Sequence, residues 1–171
     1  MLIAPQNILD MKEQPFNTLI KTFSGHLGLD EGFLIRVAPY FRPSIIMAGT
    51  VVYRQGDPAD GLYLIESGVL RATYRFADHV DVVEESCVAG TLSGELTALA
   101  GEPRNATVVA ERQAVVWKLS IEELARLEQD HPQDAKLFIK LVLKSKFPLP
   151  SPICFNYLRR SQLPKPIKMY Y

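Results

Sequence analysis

The spacing of apolar residues changes once along this chain, and the change divides it. Before residue 44 the repeat is helical. Phe16, Leu19, Ile20 and Phe23 recur at three- and four-residue intervals, which predicts a helix from Pro15 through Phe23, ended by Ser24 and Gly25. Asp30 is placed as the N-cap of a second helix, roughly Glu31 to Tyr40, with Phe33, Leu34 and Val37 on one side and Pro43 closing it. From residue 44 the repeat is two. Short β-branched or aromatic runs follow one another: Ile45 to Met47, Val51 to Arg54, Leu62 to Glu66, Val69 to Phe76, Val80 to Glu84, Thr107 to Ala110 and Val115 to Leu119. Gly49, Gly56-Asp57-Pro58, Gly61 and Gly68 supply turns between them. The pattern predicts a sandwich or barrel over about 44–119, with Trp117 in its core.

Helical signals then return. Ser120-Ile121-Glu122-Glu123 is a capping box opening a helix to about Glu128, and Pro132 fits the first turn of another that carries Leu137, Ile139, Leu141 and Val142. Pro148, Pro150 and Pro152 cannot continue it. The expected organisation is an arm over 1–14, one domain over 15–146 that is mainly β with flanking helices, and a Pro-rich basic tail over 147–171 expected to be disordered.

Composition narrows the classes of function. With 171 residues, 47% hydrophobic and 22% charged, the chain can bury a core as one domain. All acidic residues lie at or before Asp134, while Lys144, Lys146, Arg159, Arg160, Lys165 and Lys168 follow it without acidic neighbours. The acidic body argues against a nucleic-acid surface on the folded part. Cys87 and Cys154 suggest neither a disulfide framework nor a zinc site, and His26, His79 and His131 are too scattered to bind a metal. Glu84-Glu85 and Asp78-Asp81 read as a solvated hairpin rather than an acid/base pair, and no Ser or Cys has a base nearby. Asn105-Ala106-Thr107 is a sequon with no secretory signal before it, and no run approaches the roughly 20 apolar residues of a membrane span. A cytoplasmic non-enzyme without a metal is expected.

One stretch does carry chemistry. Gly94 opens a run of helix formers, Glu95 to Ala100, whose first N–H groups can face an anion. The run stops at Gly101, Pro103 sets a turn, and Arg104 begins a strand-like segment from which a guanidinium can reach back to hold two phosphate oxygens. Glu95 beside a phosphate is useful only as an acceptor toward a sugar hydroxyl. Together they suggest ribose plus phosphate; the plain alternative is a connection in which Glu95 and Arg104 pair with each other.

Ser93-Gly94-Glu95-Leu96-Thr97 and Pro103-Arg104-Asn105-Ala106-Thr107-Val108 resemble the phosphate-binding cassette of cyclic-nucleotide-binding domains, as in protein kinase A regulatory subunits, catabolite activator proteins and cyclic-nucleotide-gated channels. Gly49, Gln55-Gly56-Asp57, Tyr63-Leu64-Ile65 and Gly68 match that family in order, so the resemblance covers roughly Leu34 to Leu143. Ser93 stands for the family's Phe, Thr97 for Ala and Asn105 for the first Ala. The resemblance implies a double-stranded β-helix, or jelly-roll barrel, with N-terminal and C-terminal helices. It also implies a ligand site of Gly94, Glu95, Leu96, Thr97, Arg104, Asn105 and Ala106, with the phosphate on Arg104 and the Gly94–Thr97 backbone and the ribose on Glu95. Ala106, where cyclic-GMP binders often carry Thr, implies cyclic AMP over cyclic GMP. The helices after Ser120 would relay occupancy; residues 144–171 cannot supply the helix-turn-helix of the DNA-binding relatives. A finer resemblance, in Phe16-Asn17-Thr18-Leu19-Ile20-Lys21, Gly61-Leu62-Tyr63, Glu66 to Tyr74 and Arg104 to Val109, is to the cytosolic C-terminal region of fungal sulfate-permease family transporters. It implies a transporter or a second copy as partner, at the cytosolic face of a membrane, and an alternative role as an interaction domain without ligand.

Overall fold

The computed structural model describes residues 31–75 and 82–145. The expected arm, the helix over 15–23 and the tail lie outside these residues, as do His26, His79 and Cys154.

Helix α1 spans Glu31–Val37 and tightens into a 3-10 turn, Ala38–Tyr40, where Pro39 sits. Eight strands follow among the described residues: β1 Arg42–Ile46, β2 Val51–Tyr53, β3 Gly61–Ser67, β4 Val69–Arg75, β5 Val82–Val88, β6 Leu92–Ser93, β7 Thr107–Ala110 and β8 Ala114–Ser120. Helix α2, Glu95–Ala100, lies between β6 and β7, and α3, Ile121–Asp130, and α4, Pro132–Ser145, close the described chain. Pro43 does not end a helix: it lies in β1, an edge strand, where a missing N–H breaks no ladder.

The strands form two four-stranded antiparallel sheets, β1-β8-β3-β6 and β2-β7-β4-β5. This is the expected jelly-roll-like architecture, mainly β with flanking helices, built as two facing sheets. Among the described residues no ladder joins the two sheets; what joins them is the apolar interior between their faces.

Strand alternation divides the core in two. On β3, Leu62 and Leu64 face the helices while Tyr63 and Ile65 face the opposite sheet; on β8, Trp117 and Leu119 go one way and Ala114 and Val116 the other. The centre of the first sheet, β3 and β8, is therefore buried on both faces, while its edge strand β1 is exposed at all but Ile46. Phe33, Leu34 and Val37 of α1, Leu124 and Leu127 of α3, and Ala135, Phe138, Leu141 and Val142 of α4 cover the sheet's outer side. Burying each large side chain is worth about 1.5–3 kcal/mol. The Trp117 indole N–H is satisfied by Glu66. Arg36 binds Asp134 through both carboxylate oxygens, Nε at 2.6 Å and Nη2 at 3.0 Å, and ties α1 to α4. That hydrogen bond holds the Asp134 carboxyl below its ordinary range.

Candidate functional site

Arg104 is placed by its backbone before its side chain makes a contact. Its N–H donates to the Asp57 carbonyl (2.8 Å), and its own carbonyl accepts from Gly56 N–H (2.8 Å), so the Gln55-Gly56-Asp57 turn clips it in position. The turn is itself held: Arg54 N–H donates to Asp57 Oδ2 (3.0 Å), and the Gln55 side-chain amide bonds both backbone groups of Arg75 at 2.8 and 3.0 Å.

From there the side chain runs inward and is buried, the residue only 2% exposed. Its guanidinium lies 4.2 Å from the Tyr53 ring centroid and 5.8 Å from that of Tyr63, and the two rings stack on each other. A guanidinium has five N–H donors. Nη1 donates to the Gly94 carbonyl (2.8 Å) and, more weakly, to Thr97 Oγ1 (3.4 Å); Nη2 donates to Asp60 Oδ1 and the Gly61 carbonyl, both at 2.6 Å. Nε is buried and has no acceptor among the described residues. An unmet buried donor costs about 1–3 kcal/mol, more on a charged group, so an additional acceptor at Nε would be stabilising.

Gly94 makes the approach possible. Its φ of +74° lies in the left-handed region, and a Cβ there would stand 2.3 Å from Arg104 Nη1 and 3.1 Å from the Tyr53 hydroxyl. Gly61 is needed for a second reason: a Cβ on it would strike the Leu119 carbonyl at 2.4 Å, and its own carbonyl is an Arg104 acceptor.

The ion pair of Arg104 is with Asp60, in the turn before β3. Lys118 binds the other oxygen of the same carboxylate, and the Tyr63 hydroxyl stands 3.4 Å from it. Partial burial works to raise the Asp60 pKa, but Lys118 and Arg104 outweigh it and hold it below its ordinary value. Burial pushes the Tyr53 hydroxyl up, against the opposing effects of its 2.9 Å bond with Ser93 Oγ and of the Arg104 charge. Ser93 is small where the resembled family has Phe, and the Tyr53 hydroxyl meets it there.

The structure therefore brings Gly94, Thr97 and Arg104 into direct contact. Glu95 is 3% exposed and within electrostatic reach of Tyr53, which places it in the same interior. Ala106 is 2% exposed in the inter-sheet cluster, whereas Thr107 turns its hydroxyl outward to accept from Gln55 N–H, as alternation requires. Leu96 is 39% exposed and Asn105 half-buried; neither joins the guanidinium cluster. The sequence reading missed Tyr53, Asp60 and Lys118. For Asp60 a signal existed, in its place just before Gly61-Leu62-Tyr63. Glu85, read as part of a solvated hairpin, is instead half-buried and accepts from the Tyr74 hydroxyl at 3.1 Å.

Comparison with known proteins bears on this arrangement. A family model described as "Cyclic nucleotide-binding domain" matches residues 45–131. A cAMP-dependent protein kinase regulatory subunit of Blastocladiella emersonii is 35% identical over 103 residues, 60% of this chain and 26% of that protein. A cyclic nucleotide-gated potassium channel of Rhizobium etli is 31% identical over 118 residues, 69% of this chain and 32% of that protein. The chain thus spans about a quarter to a third of the length of these two curated relatives. Among solved structures, a cyclic nucleotide-binding domain from Methylobacillus flagellatus superposes with a TM-score of 0.71 at 20% identity, covering 92% of this chain and 89% of the other. The regulatory domain of Toxoplasma gondii PKA with cAMP gives 0.63 at 25% identity, covering 80% and 51%.

Proposed function

The chain belongs to the cyclic nucleotide-binding domain family, and from that premise we propose that it is a regulatory module that takes a cyclic nucleotide between its sheets. The observation that supports this reading most directly is the Arg104 Nε, a buried cationic donor without an acceptor beside the start of α2. A phosphate oxygen satisfies it. A second oxygen competes for Nη1, where the 3.4 Å contact to Thr97 is the weakest to give up. Glu95 accepts from a ribose hydroxyl, and Ala106 offers no hydroxyl to a guanine amino group. One neutral hydrogen bond is worth about 0.5–1.5 kcal/mol, so the preference for cyclic AMP from this position is up to about tenfold.

Occupancy has a route outward. Helix α2 turns Thr97 toward Arg104 and packs Ala98 into the helix-facing cluster with α3 and α4. A shift of α2 on binding therefore repositions the two helices after Ser120.

Calorimetry with cyclic AMP and cyclic GMP tests the proposal, together with Arg104→Lys. Lysine keeps the charge but cannot bridge two phosphate oxygens while holding Asp60 and Gly61, so affinity should fall by roughly 10- to 100-fold with the fold retained. Arg104→Ala is a poor test, because it removes the partner of Asp60 and of the Gly61 and Gly94 carbonyls. Absence of heat and of any thermal shift with either nucleotide at millimolar concentration sinks the reading. A second reading then takes over, favoured by the four guanidinium N–H groups that already have protein acceptors. In it Arg104 is a structural strut, and the domain serves as an interaction module against a second copy or an anion transporter of the sulfate-permease type at the cytosolic face of a membrane.

A further inference from the structure

The inner face of the second sheet carries a polar pair that phosphate and ribose recognition do not use. The strand order β2-β7-β4-β5 runs from Tyr53, over Arg104, to β5 at the far edge. Along β5, Cys87 is opposite Leu70 and Glu85 is opposite Ala72, so all four point into the interior between the sheets. Tyr74 shares that face, packed against the same cluster, and its hydroxyl donates to Glu85 Oε2. Burial, Glu85 and, more weakly, Cys87 and Tyr53 all push the Tyr74 hydroxyl up, and Tyr74 packs against the same inter-sheet cluster as Tyr53, the ring that stacks on Arg104.

Register locates the pair more closely. On the β4–β7 ladder Ala72 is opposite Val108 and Thr73 is opposite Thr107. One residue beyond these pairs on each strand, Ala106 is buried in the inter-sheet cluster and Tyr74 packs against that same cluster. Ala106 is the position proposed above to lie against the base, and it has no polar group to offer. Tyr74 and Glu85 do.

Resting on that reading, we propose that Glu85, oriented by Tyr74, is a base-specificity residue that accepts a hydrogen bond from the 6-amino group of adenine. A carboxylate only accepts. Adenine presents a 6-amino donor next to the N7 acceptor, whereas guanine presents two acceptors, O6 and N7, along the same edge. Glu85 attracts the first and repels the second. The carbonyl of a 6-oxopurine would face a carboxylate without a proton between them, and Ala106 would leave a guanine 2-amino group unmet.

The experiment is a competition titration of wild type, Glu85→Gln and Tyr74→Phe with cyclic AMP, cyclic GMP and cyclic inosine monophosphate, which has the 6-oxo group and no amino group. Melting temperature is recorded for each variant. Wild type should prefer cyclic AMP to cyclic inosine monophosphate by at least about fivefold. Glu85→Gln should close that gap, because its amide can turn a donor toward a 6-oxo group, and Tyr74→Phe should narrow it with little change in melting. Ratios unmoved by both variants, with nucleotide still bound, overturn this inference alone. A wild-type preference for cyclic GMP that Glu85→Gln abolishes also overturns it, by assigning the carboxylate to the N1–H and 2-amino edge of guanine. Failure of wild type to bind any of the three overturns the parent reading and this one with it.

Discussion

Asp60 balances a buried guanidinium while more than half of its own side chain, 54%, faces solvent. Its pKa is held below the ordinary 3.8, so the sign of its contribution follows by linkage. The stabilisation is present above its unfolded value and is lost as pH falls through the lower folded value. Asp60→Asn should therefore destabilise near neutrality, and the gap between variant and wild type should hold down to about pH 5 and shrink below about pH 4. Urea unfolding at pH 7 and pH 3 checks this; an unchanged gap would mean that Asp60 acts by shape and not by charge. Legibility at this scale stopped at the residue itself. Arg104 and Gly94 stand out in the sequence by type and spacing, but the choice between Glu95 and Asp60 as ion-pair partner depends on which loop the sandwich brings alongside.

Among the elements, those with a local signal were legible. Helix α2 and strand β7 have the predicted bounds, and Ser120 is the N-cap the sequence indicates: its Oγ accepts from Glu123 N–H at 3.2 Å as β8 passes directly into α3, while the Glu123 carboxylate turns to Arg42 and Arg126. Ser120→Ala should cost about 1 kcal/mol, measured by denaturant unfolding. An unaltered midpoint would show that the Ile121 N–H bond to the Asp60 carbonyl, 3.3 Å, suffices to start the helix. What had no local signal was missed. Strand β6 is two residues held by pairing with β3, too short for any period to register. Strand β5 runs to Val88 through Glu84, Glu85 and Ser86, residues that propensity counts against a strand; pairing with all of β4 overrides it.

At the scale of the molecule, the first sheet serves two interiors, one with the helices and one with the second sheet, and Glu95-Leu96-Thr97-Ala98 spans both. Sandwich rather than closed barrel could not be read from period two, because both architectures alternate in the same way along each strand. The inter-sheet interior contains a thiol, Cys87, buried on β5 within electrostatic reach of Tyr53 and Tyr74. Reaction of that thiol with an aromatic disulfide reagent needs the sheets to part, so its rate is a clock for their separation. In a Cys154→Ser background, cyclic AMP at 100 times its Kd should slow the labelling about 100-fold if nucleotide and reagent exclude each other through the same opening. A rate indifferent to nucleotide would mean that β5 peels from the edge by itself, and the protein would then hold its ligand while the edge strand next to it comes and goes.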